Sequence, residues 1–272
     1  MRHIILLFLC CSALVFANPH TLRFAPLPML KSEIVLQQYV GIFSFLSQKL
    51  GVTFEIVYFT DYEKILEALA QNRVDIAHLG PLPYARLLHN AIPVQPLVQF
   101  LNEDGKSTYT CSLITAHHAR NLPLKQHTIA LTQPLSTCGF LSMSHLLKRE
   151  GIALEEQPYF YADTHTNVIL KLLLGEAHSG GVKSSVFSDY KHLGLIERSR
   201  STALPGFLWV GSAKLPSALA KEIQEALFSL EPTGKDTDLM HSWADAFKHG
   251  AIAPNLGEYE EVLNLYLNTV FP

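Results

Sequence analysis

Short runs of apolar and β-branched residues alternate along this chain with longer segments in which apolar residues recur every three or four positions. The short runs are typical of buried strands, and the longer segments are typical of amphipathic helices. In the first hundred residues the pattern predicts strands at residues 22–25, 53–58, 74–79 and 94–100. It predicts helices between them at residues 34–50, 61–72 and 81–89, with Asp61 as an N-cap and Pro81 in a first turn. This alternation is typical of a sheet wound with helices.

A second region repeats the alternation after a polar turn at residues 101–107. Its predicted strands are residues 128–131, 158–161, 179–182 and 193–197, and its predicted helices are residues 137–150, 165–174 and 184–190. Residues 109–116 lead into this region, and a strand at 207–211 leads back to three further helices at 216–230, 237–249 and 257–270. We therefore predict two α/β lobes, with residues 18–106 and 204–272 in lobe one and residues 107–203 in lobe two. Two crossing segments form a hinge about which such lobes close on a ligand.

Composition supports a folded, two-lobed protein. The chain has 272 residues, of which 48% are hydrophobic and 17% are charged. This provides a large core and excludes a disordered chain, and the length fits two lobes better than one minimal domain. The formal net charge of −3 provides no strongly basic surface, so nucleic acid is not an expected partner.

The first 17 residues have the pattern of an export signal. Arg2 precedes an apolar run at residues 4–16, and the segment ends in Val15-Phe16-Ala17, with small residues where a signal peptidase requires them. The run is shorter than the roughly 18 residues that span a bilayer. We therefore expect a cleaved signal peptide at residues 1–17 and a soluble periplasmic protein.

The cysteines fall into two pairs. Cys10 and Cys11 lie within the predicted signal, in a context unlike a lipid-attachment site. Cys111 and Cys138 remain in the mature chain. An oxidising compartment permits a disulfide between them, and two small buried side chains are an equal alternative.

The most informative segment is Leu131-Thr132-Gln133-Pro134-Leu135-Ser136-Thr137-Cys138-Gly139-Phe140, in which an apolar strand leads into a helix through small hydroxyl residues. The first turn of a helix carries backbone N–H groups without internal partners and the positive end of the helix dipole. With two hydroxyls added, such a turn can bind an oxyanion. As an alternative, Ser136 and Thr137 only cap the helix, which stabilises it by about 1 kcal/mol.

No motif indicates catalysis. The sequence has no Gly-x-Ser-x-Gly, no recognisable pair of catalytic carboxylates and no phosphate-binding lysine loop. The neighbouring His117 and His118 lack the spacing of a metal site, and we expect them at the surface. We therefore predict a binding protein that is not an enzyme and needs no cofactor or metal.

Several separated segments form a recognisable series: Asp61-Tyr62, residues 73–84, residues 134–139, Thr164-His165, residues 175–183 and residues 250–259. In this order they resemble the substrate-binding proteins of phosphate, phosphite and phosphonate ABC importers. The resemblance implies a two-lobed type II periplasmic-binding fold, in which each lobe is a mixed, mostly parallel sheet flanked by helices and two strands form the hinge. It also implies capture of a small oxyanion between the lobes and delivery to a membrane permease. We expect a monomer.

The same resemblance implies a set of ligand-binding residues shared by the two lobes: Tyr84, Ser136, Thr137, the Cys138 amide and His165. Further candidates, each with a structural alternative, are Tyr62, His178 and Lys183. The positions of the first set follow strands or lie in the first turn of helices, where α/β sheets bind ligands. A protonated His165 beside an oxyanion would make affinity fall as pH rises.

Two positions depart from the family pattern. Cys138 stands where the family usually has a hydroxyl, and His178 stands where many relatives have an acidic residue that holds an amino group. We therefore expect a ligand without a positive tail, such as phosphate, phosphite or a simple alkylphosphonate. A sulfonate, a thiamine precursor or a chelated metal is the alternative ligand, and a heterocycle would need an aromatic slot. Candidates for that slot are Tyr39, Phe59, Tyr62, Phe207 and Trp209. A sensory protein or an enzyme on this fold is a further alternative.

Overall fold

The structure is a computed structural model that describes residues 20–28 and 32–271. The signal peptide predicted at residues 1–17 lies outside the described residues. The strands are β1 His20–Ala25, β2 Val52–Ile56, β3 Ile76–Leu79, β4 Val94–Phe100, β5 Thr108–Tyr109, β6 Cys111–Thr115, β7 Ile129–Leu131, β8 Tyr159–Tyr161, β9 Ser179–Lys183, β10 Ile196–Arg200, β11 Leu204–Pro205, β12 Leu208–Ser212 and β13 Ala251–Ile252. The α-helices are α1 Ser32–Leu50, α2 Tyr62–Ala70, α3 Pro81–His89, α4 Ser142–Arg149, α5 His165–Leu173, α6 Ser184–Tyr190, α7 Ser217–Phe228, α8 Thr237–His241 and α9 Leu256–Leu267.

Two sheets organise these elements. The first has six strands in the order β13-β4-β12-β3-β1-β2, and the second has five in the order β10-β6-β9-β7-β8. We call the part built on the first sheet lobe one and the part built on the second sheet lobe two. The ligand-facing edges of both sheets lie where β3, β7 and β9 end, because these strands run parallel to their neighbours β1 and β8.

A two-stranded ribbon joins the lobes. β5 pairs with β11 in antiparallel register, with Tyr109 opposite Leu204 and Thr108 opposite Pro205. β6 follows β5 into lobe two, and β12 follows β11 back into lobe one. The chain therefore crosses between the lobes as two adjacent extended segments, which is the geometry of a hinge.

The sheets are mixed, as expected, but parallel pairs do not dominate them. In lobe one, β12 runs antiparallel to β3 and β4, and β13 runs antiparallel to β4. In lobe two, β6 runs antiparallel to β9 and β10. The reason is topological, because β6 and β12 enter their sheets directly from the hinge instead of through a helical crossover.

Local chemistry explains where the helices begin. The Asp61 side chain accepts a hydrogen bond from the Lys64 amide at 3.0 Å, which makes Asp61 the predicted N-cap of α2. Pro81 occupies the first turn of α3. Thr164 caps α5 by accepting from the Asn167 amide at 3.1 Å.

Some boundaries differ from the sequence prediction. The helix predicted at 237–249 ends at His241, because Trp243 and Phe247 turn into the core and pack there. Trp243 lies so close to α1 that a β-carbon at Gly41 would be 2.6 Å from its ring. The strand predicted at 193–197 begins only at Ile196, after Gly194 with a φ of 80°.

The core of lobe one covers both faces of its sheet: α1 and α7 pack on one face, and α2, α3 and α9 pack on the other. Aromatic rings fill much of the side that faces α1. Phe24 and Trp209 are fully buried and meet with ring centroids 4.9 Å apart. Lobe two has two smaller apolar clusters, one on each face of its sheet. Among the described helices, none is both long and apolar enough to cross a membrane.

Candidate functional site

A small cavity lies between the lobes, where β3 and β9 end and α2, α3 and α5 begin. Its free volume of about 10 Å³ is close to the room that one water molecule needs. Both lobes contribute to its wall, which combines aromatic rings, hydroxyls and one cationic side chain. The lining residues are Tyr62, Gly80, Tyr109, Ser136, Thr137, Cys138, His165, Lys183 and Phe207.

The turn after β7 supplies backbone donors to this cavity. Ser136 is the N-cap, and its Oγ accepts a hydrogen bond from the Gly139 amide at 3.0 Å. A single π-helical turn, Thr137–Leu141, precedes α4, where a regular α-helix was predicted. Within the described part of the chain, the Thr137 and Cys138 amides have no acceptor. They are therefore available to an anion.

The Thr137 side chain joins the two lobes. Its Oγ1 accepts a hydrogen bond from the Leu82 amide in the first turn of α3 at 3.0 Å. The lobes are in van der Waals contact here, because a β-carbon at Gly80 would lie 3.6 Å from Thr137 Oγ1. It would also lie 3.2 Å from the Phe207 ring of its own lobe. Glycine at this position therefore avoids a tight contact with the Phe207 ring.

Cys138 and Cys111 form a disulfide, with their Cα atoms 5.1 Å apart. Of the two alternatives that the sequence left open, the structure has the bridge. Both residues are buried. Cys138 has no thiol hydrogen to donate, so its backbone N–H is the group it offers to a ligand.

Lys183 and His165 form the polar wall opposite the turn. The Lys183 amide donates to His165 Nδ1 at 3.4 Å, and Lys183 Nζ lies 5.5 Å from the centroid of the Tyr109 ring. Burial lowers the pKa of the Lys183 side chain, while the charges of Asp245 and Glu103 oppose this change. Lys183 is the formal cation among the lining residues.

The protonated His165 expected from the sequence is not what the structure favours. Burial, together with the nearby charge of Lys183, lowers the pKa of His165 to about 4. At neutral pH the imidazole is therefore neutral, with Nδ1 accepting from the Lys183 amide and Nε2 carrying the proton. His165 can still donate one hydrogen bond, but it adds no charge to the site.

Two tyrosines add phenol groups. Tyr62 is the first residue of α2 and is 3% exposed, and Tyr109 in the hinge strand β5 is 9% exposed. Burial raises the pKa of both phenols, so that they stay protonated and can donate to an anion.

Two predicted residues lie elsewhere. Tyr84 is buried beside α9, where its ring packs edge-on against Tyr259 with centroids 5.2 Å apart. His178 precedes β9, whereas the cavity lies at the other end of that strand beside Lys183. His178 Nδ1 instead accepts from the Thr128 amide at 3.0 Å. The structure gives neither side chain a place in the cavity wall.

The sequence reasoning missed Gly80 and Tyr109 as lining residues, and it considered Phe207 only as part of an aromatic slot. Of the other slot candidates, Tyr39 and Trp209 are buried in the core of lobe one. A signal for Tyr109 existed, because it lies in the crossing segment that leads into lobe two. Residues at a hinge between two lobes border the gap that the lobes enclose.

The histidines of lobe two lie near one another without forming a metal site. The ring of His178 lies 5.5 Å from that of His127 and 5.8 Å from that of His118. Both ring nitrogens of His127 are within hydrogen-bond distance of Ser179 Oγ and the Leu122 carbonyl. Over residues 20–28 and 32–271, no group of three or more His, Cys, Asp or Glu residues could hold a metal ion.

Comparison with known proteins identifies the family. A family model described as the periplasmic substrate-binding protein of a phosphonate ABC transporter matches residues 24–255. The chain belongs to this family. As a family member, it is a phosphonate-type substrate-binding protein of an ABC transporter, and this family is periplasmic.

Solved structures of binding proteins share its fold. PhnD1 from Prochlorococcus marinus, in complex with methylphosphonate, has 14% sequence identity and a TM-score of 0.78, over 93% of this chain and 100% of that chain. A binding protein component of an ABC phosphonate transporter from Pseudomonas aeruginosa has 15% identity and a TM-score of 0.75, over 92% and 87%. The alkanesulfonate-binding protein SsuA from Xanthomonas axonopodis pv. citri has 16% identity and a TM-score of 0.57, over 92% and 85%. These matches confirm the two-lobed periplasmic-binding fold of this phosphonate-binding family member.

Proposed function

We propose that this protein binds the tetrahedral head of a phosphonate, phosphite or phosphate ion in the cavity beside Ser136 and delivers it to an ABC permease. The mature protein, after removal of residues 1–17, acts as a periplasmic monomer. Residues 18–106 and 204–272 move as one lobe, and residues 107–203 move as the other. The role is binding without a catalytic step.

The observation that carries this proposal is the convergence of donors on one small cavity. The amides of Thr137 and Cys138 lack acceptors, and the Lys183 ammonium lies in the opposite wall. Backbone N–H groups at the start of a helix, together with one cation, stabilise an oxyanion.

Hydroxyl and imidazole donors complete the set. Ser136 Oγ accepts from the Gly139 amide, which leaves its own proton for a ligand oxygen. Tyr62, Tyr109 and neutral His165 line the same space. Since each of them can donate, the cavity favours a ligand that presents several acceptor oxygens.

The size and position of the cavity favour a small head group over a heterocycle. The free volume is small and lies directly at the Ser136 turn. Enlarging it for an oxyanion requires a slight parting of the lobes, which the β5–β11 hinge permits. A flat aromatic ligand would need a slot between rings, and Tyr39 and Trp209 are too buried to form one. Tyr62 and Phe207 do line the cavity, but the space that they border has a free volume of about 10 Å³, too small for a flat ring.

Isothermal titration of the mature protein with methylphosphonate, phosphite, phosphate and methanesulfonate tests the proposal. We expect saturable binding of at least one of the three phosphorus oxyanions and weaker binding of the sulfonate. The sulfonate carries a single negative charge, which makes it a poorer partner for Lys183. Binding of methanesulfonate alone, or of none of the four ions, would contradict the proposal.

A further inference from the structure

A larger cleft continues from the head-group cavity along the hinge. Its free volume is about 730 Å³, and it shares Tyr109, His165, Lys183 and Phe207 with the smaller cavity. Both lobes line it. A substituent on the bound oxyanion therefore has room to extend past Phe207 and Lys183 into this cleft.

His78 lines the cleft from lobe one. It is in β3, two residues before Gly80, and it is 2% exposed. Its ring lies 5.8 Å from that of Phe207 and 5.4 Å from that of Phe247. A polar side chain in such an apolar setting is normally hydrogen-bonded.

A short chain of hydrogen bonds fixes the tautomer of His78. The Leu27 amide donates to the Tyr39 hydroxyl oxygen at 3.2 Å, and this hydroxyl lies 2.8 Å from His78 Nδ1. Burial raises the pKa of Tyr39, so the phenol keeps its proton and donates it to Nδ1. Burial also lowers the pKa of His78 to about 3, so the ring stays neutral with its proton on Nε2.

The Nε2 atom of His78 is buried and has no hydrogen-bond partner in the described part of the chain. An unpaired buried N–H is unfavourable. A ligand oxygen that enters from the cleft and displaces the neighbouring Phe207 ring would relieve it. We propose that His78 Nε2 donates a hydrogen bond to an uncharged oxygen on the substituent of the bound oxyanion. The ligands favoured by this site are phosphonates or phosphate esters with a hydroxyl or carbonyl group on the tail.

The charges around the cleft favour an uncharged tail. Its wall carries the four carboxylates of Glu103, Asp104, Asp189 and Asp245 against the three cations Lys106, Lys183 and Arg200, so it offers no net positive charge to a carboxylate tail. Arg200, also in the wall, is already paired with Glu197 at 2.8 Å. An ammonium tail has no acceptor atom for the N–H of His78. A hydroxyl or carbonyl oxygen meets both conditions.

Matched ligand pairs test this inference, which rests on the proposed function. 2-Hydroxyethylphosphonate and propylphosphonate have the same number of heavy atoms and differ in the terminal group, as do 3-hydroxypropylphosphonate and butylphosphonate. We expect titration calorimetry to show about tenfold tighter binding of one hydroxylated ligand over its alkyl partner, the value typical of one hydrogen bond. In His78→Phe the preference should fall to about one. In Tyr39→Phe the imidazole remains, but Nδ1 loses its donor, so that either ring nitrogen can carry the proton. The preference for the hydroxylated ligand should then fall only in part.

Trp209→Phe is the matched control. Trp209 Nε1 is also a buried N–H without a partner in the described chain, on the strand next to β3, but Trp209 does not line the cleft. This variant should keep the wild-type preference. Equal binding of both members of each pair by the wild type, or an unchanged preference in His78→Phe, would overturn the role of His78 and leave head-group binding intact. Failure of the four tail-bearing probes while methylphosphonate, phosphite or phosphate still binds would likewise overturn the role of His78 alone. Failure of all seven ligands to bind would instead contradict the proposed function, and the role of His78 with it.

Discussion

At the scale of single residues, Lys183 has a position that no other lining residue shares. It ends β9, it precedes α6, and its backbone N–H donates to His165 while its ammonium borders the cavity. The same residue therefore sets the tautomer of the imidazole and supplies the positive charge. Because Lys183 is only partly exposed, water screens that charge less than it would at the surface.

Replacing Lys183 with Met should weaken methylphosphonate binding by about 10- to 100-fold, since a charge-assisted hydrogen bond contributes roughly 1.5 to 3 kcal/mol.

Burial lowers the pKa of Lys183, so the affinity of the wild type should fall as pH rises. The fall should begin at a lower pH than the one at which an ordinary lysine titrates. Lys183→Met should lack this alkaline loss. Titration calorimetry over a pH series measures both effects. Lys106→Met, an exposed change in the outer cleft, is the control, and equal affinities of the two variants would contradict the role of Lys183.

Individual residues also show what the sequence could predict. The anion-binding turn was evident because Ser136 and Thr137 follow an apolar run and open a helix. The sequence also contained the signal that His178 lies away from the cavity, since it precedes a strand whose other end faces the ligand. The placement of Tyr84 could not be predicted, because its burial depends on α9, which packs over α3 from about 180 residues further along the chain. Contacts between distant segments leave no local pattern.

At the scale of elements, most strands and helices follow the hydrophobic pattern, and the exceptions have tertiary causes. The order of elements was predicted from apolar runs and from caps such as Asp61 and Pro81. The end of α8 at His241 was not, because the packing of Trp243 against α1 overrides a helical pattern. The short strand β13 carries too few residues for a pattern, and it exists only because β4 offers a free edge.

The disulfide connects two such elements, the start of β6 and the turn after β7. Its cysteines are 27 residues apart, and a closed loop of about that length contributes roughly 3 to 4 kcal/mol to stability. Reduction, or the double change Cys111→Ser and Cys138→Ser, should lower the free energy of unfolding by about this amount. Urea unfolding of the oxidised and reduced protein measures it.

The double variant is its own control for reduction, because a reductant should not change its stability. It should also bind methylphosphonate more weakly, since the Cys138 amide is no longer held in place. A double variant as stable as the oxidised protein would contradict this account of the bridge.

At the scale of the whole molecule, several contacts hold the two lobes together. One apolar cluster contains Leu82 and Tyr84 from lobe one together with Cys138 and Leu141 from lobe two. His145 Nε2 in α4 lies 3.1 Å from the Leu265 carbonyl oxygen of α9. The hydrogen bond from the Leu82 amide to Thr137 Oγ1 lies beside the ligand cavity. Opening of the lobes must break this bond.

Thr137→Val removes that acceptor with little change of shape. We expect the ligand-free variant to populate open forms more often, so that its radius of gyration by small-angle X-ray scattering exceeds that of the wild type. Affinity for methylphosphonate should fall by about fivefold to tenfold, as for the loss of one neutral hydrogen bond. Thr115→Val is the matched control, because the Thr115 hydroxyl bonds to Ser179 within lobe two. A radius that changes equally in both variants would rule out a specific role of Thr137 in closure.

The bridge between Cys111 and Cys138 has a mechanical consequence. Cys111 follows the hinge strand by two residues, so the bridge couples the pivot directly to the turn that carries the Thr137 and Cys138 amides. We expect lobe two to rotate about the hinge as one rigid body, with the positions of these amides fixed before the rotation begins. Discrimination among anions would then occur when an ion first contacts the turn. The rotation of the lobe would determine how long the bound ion is retained.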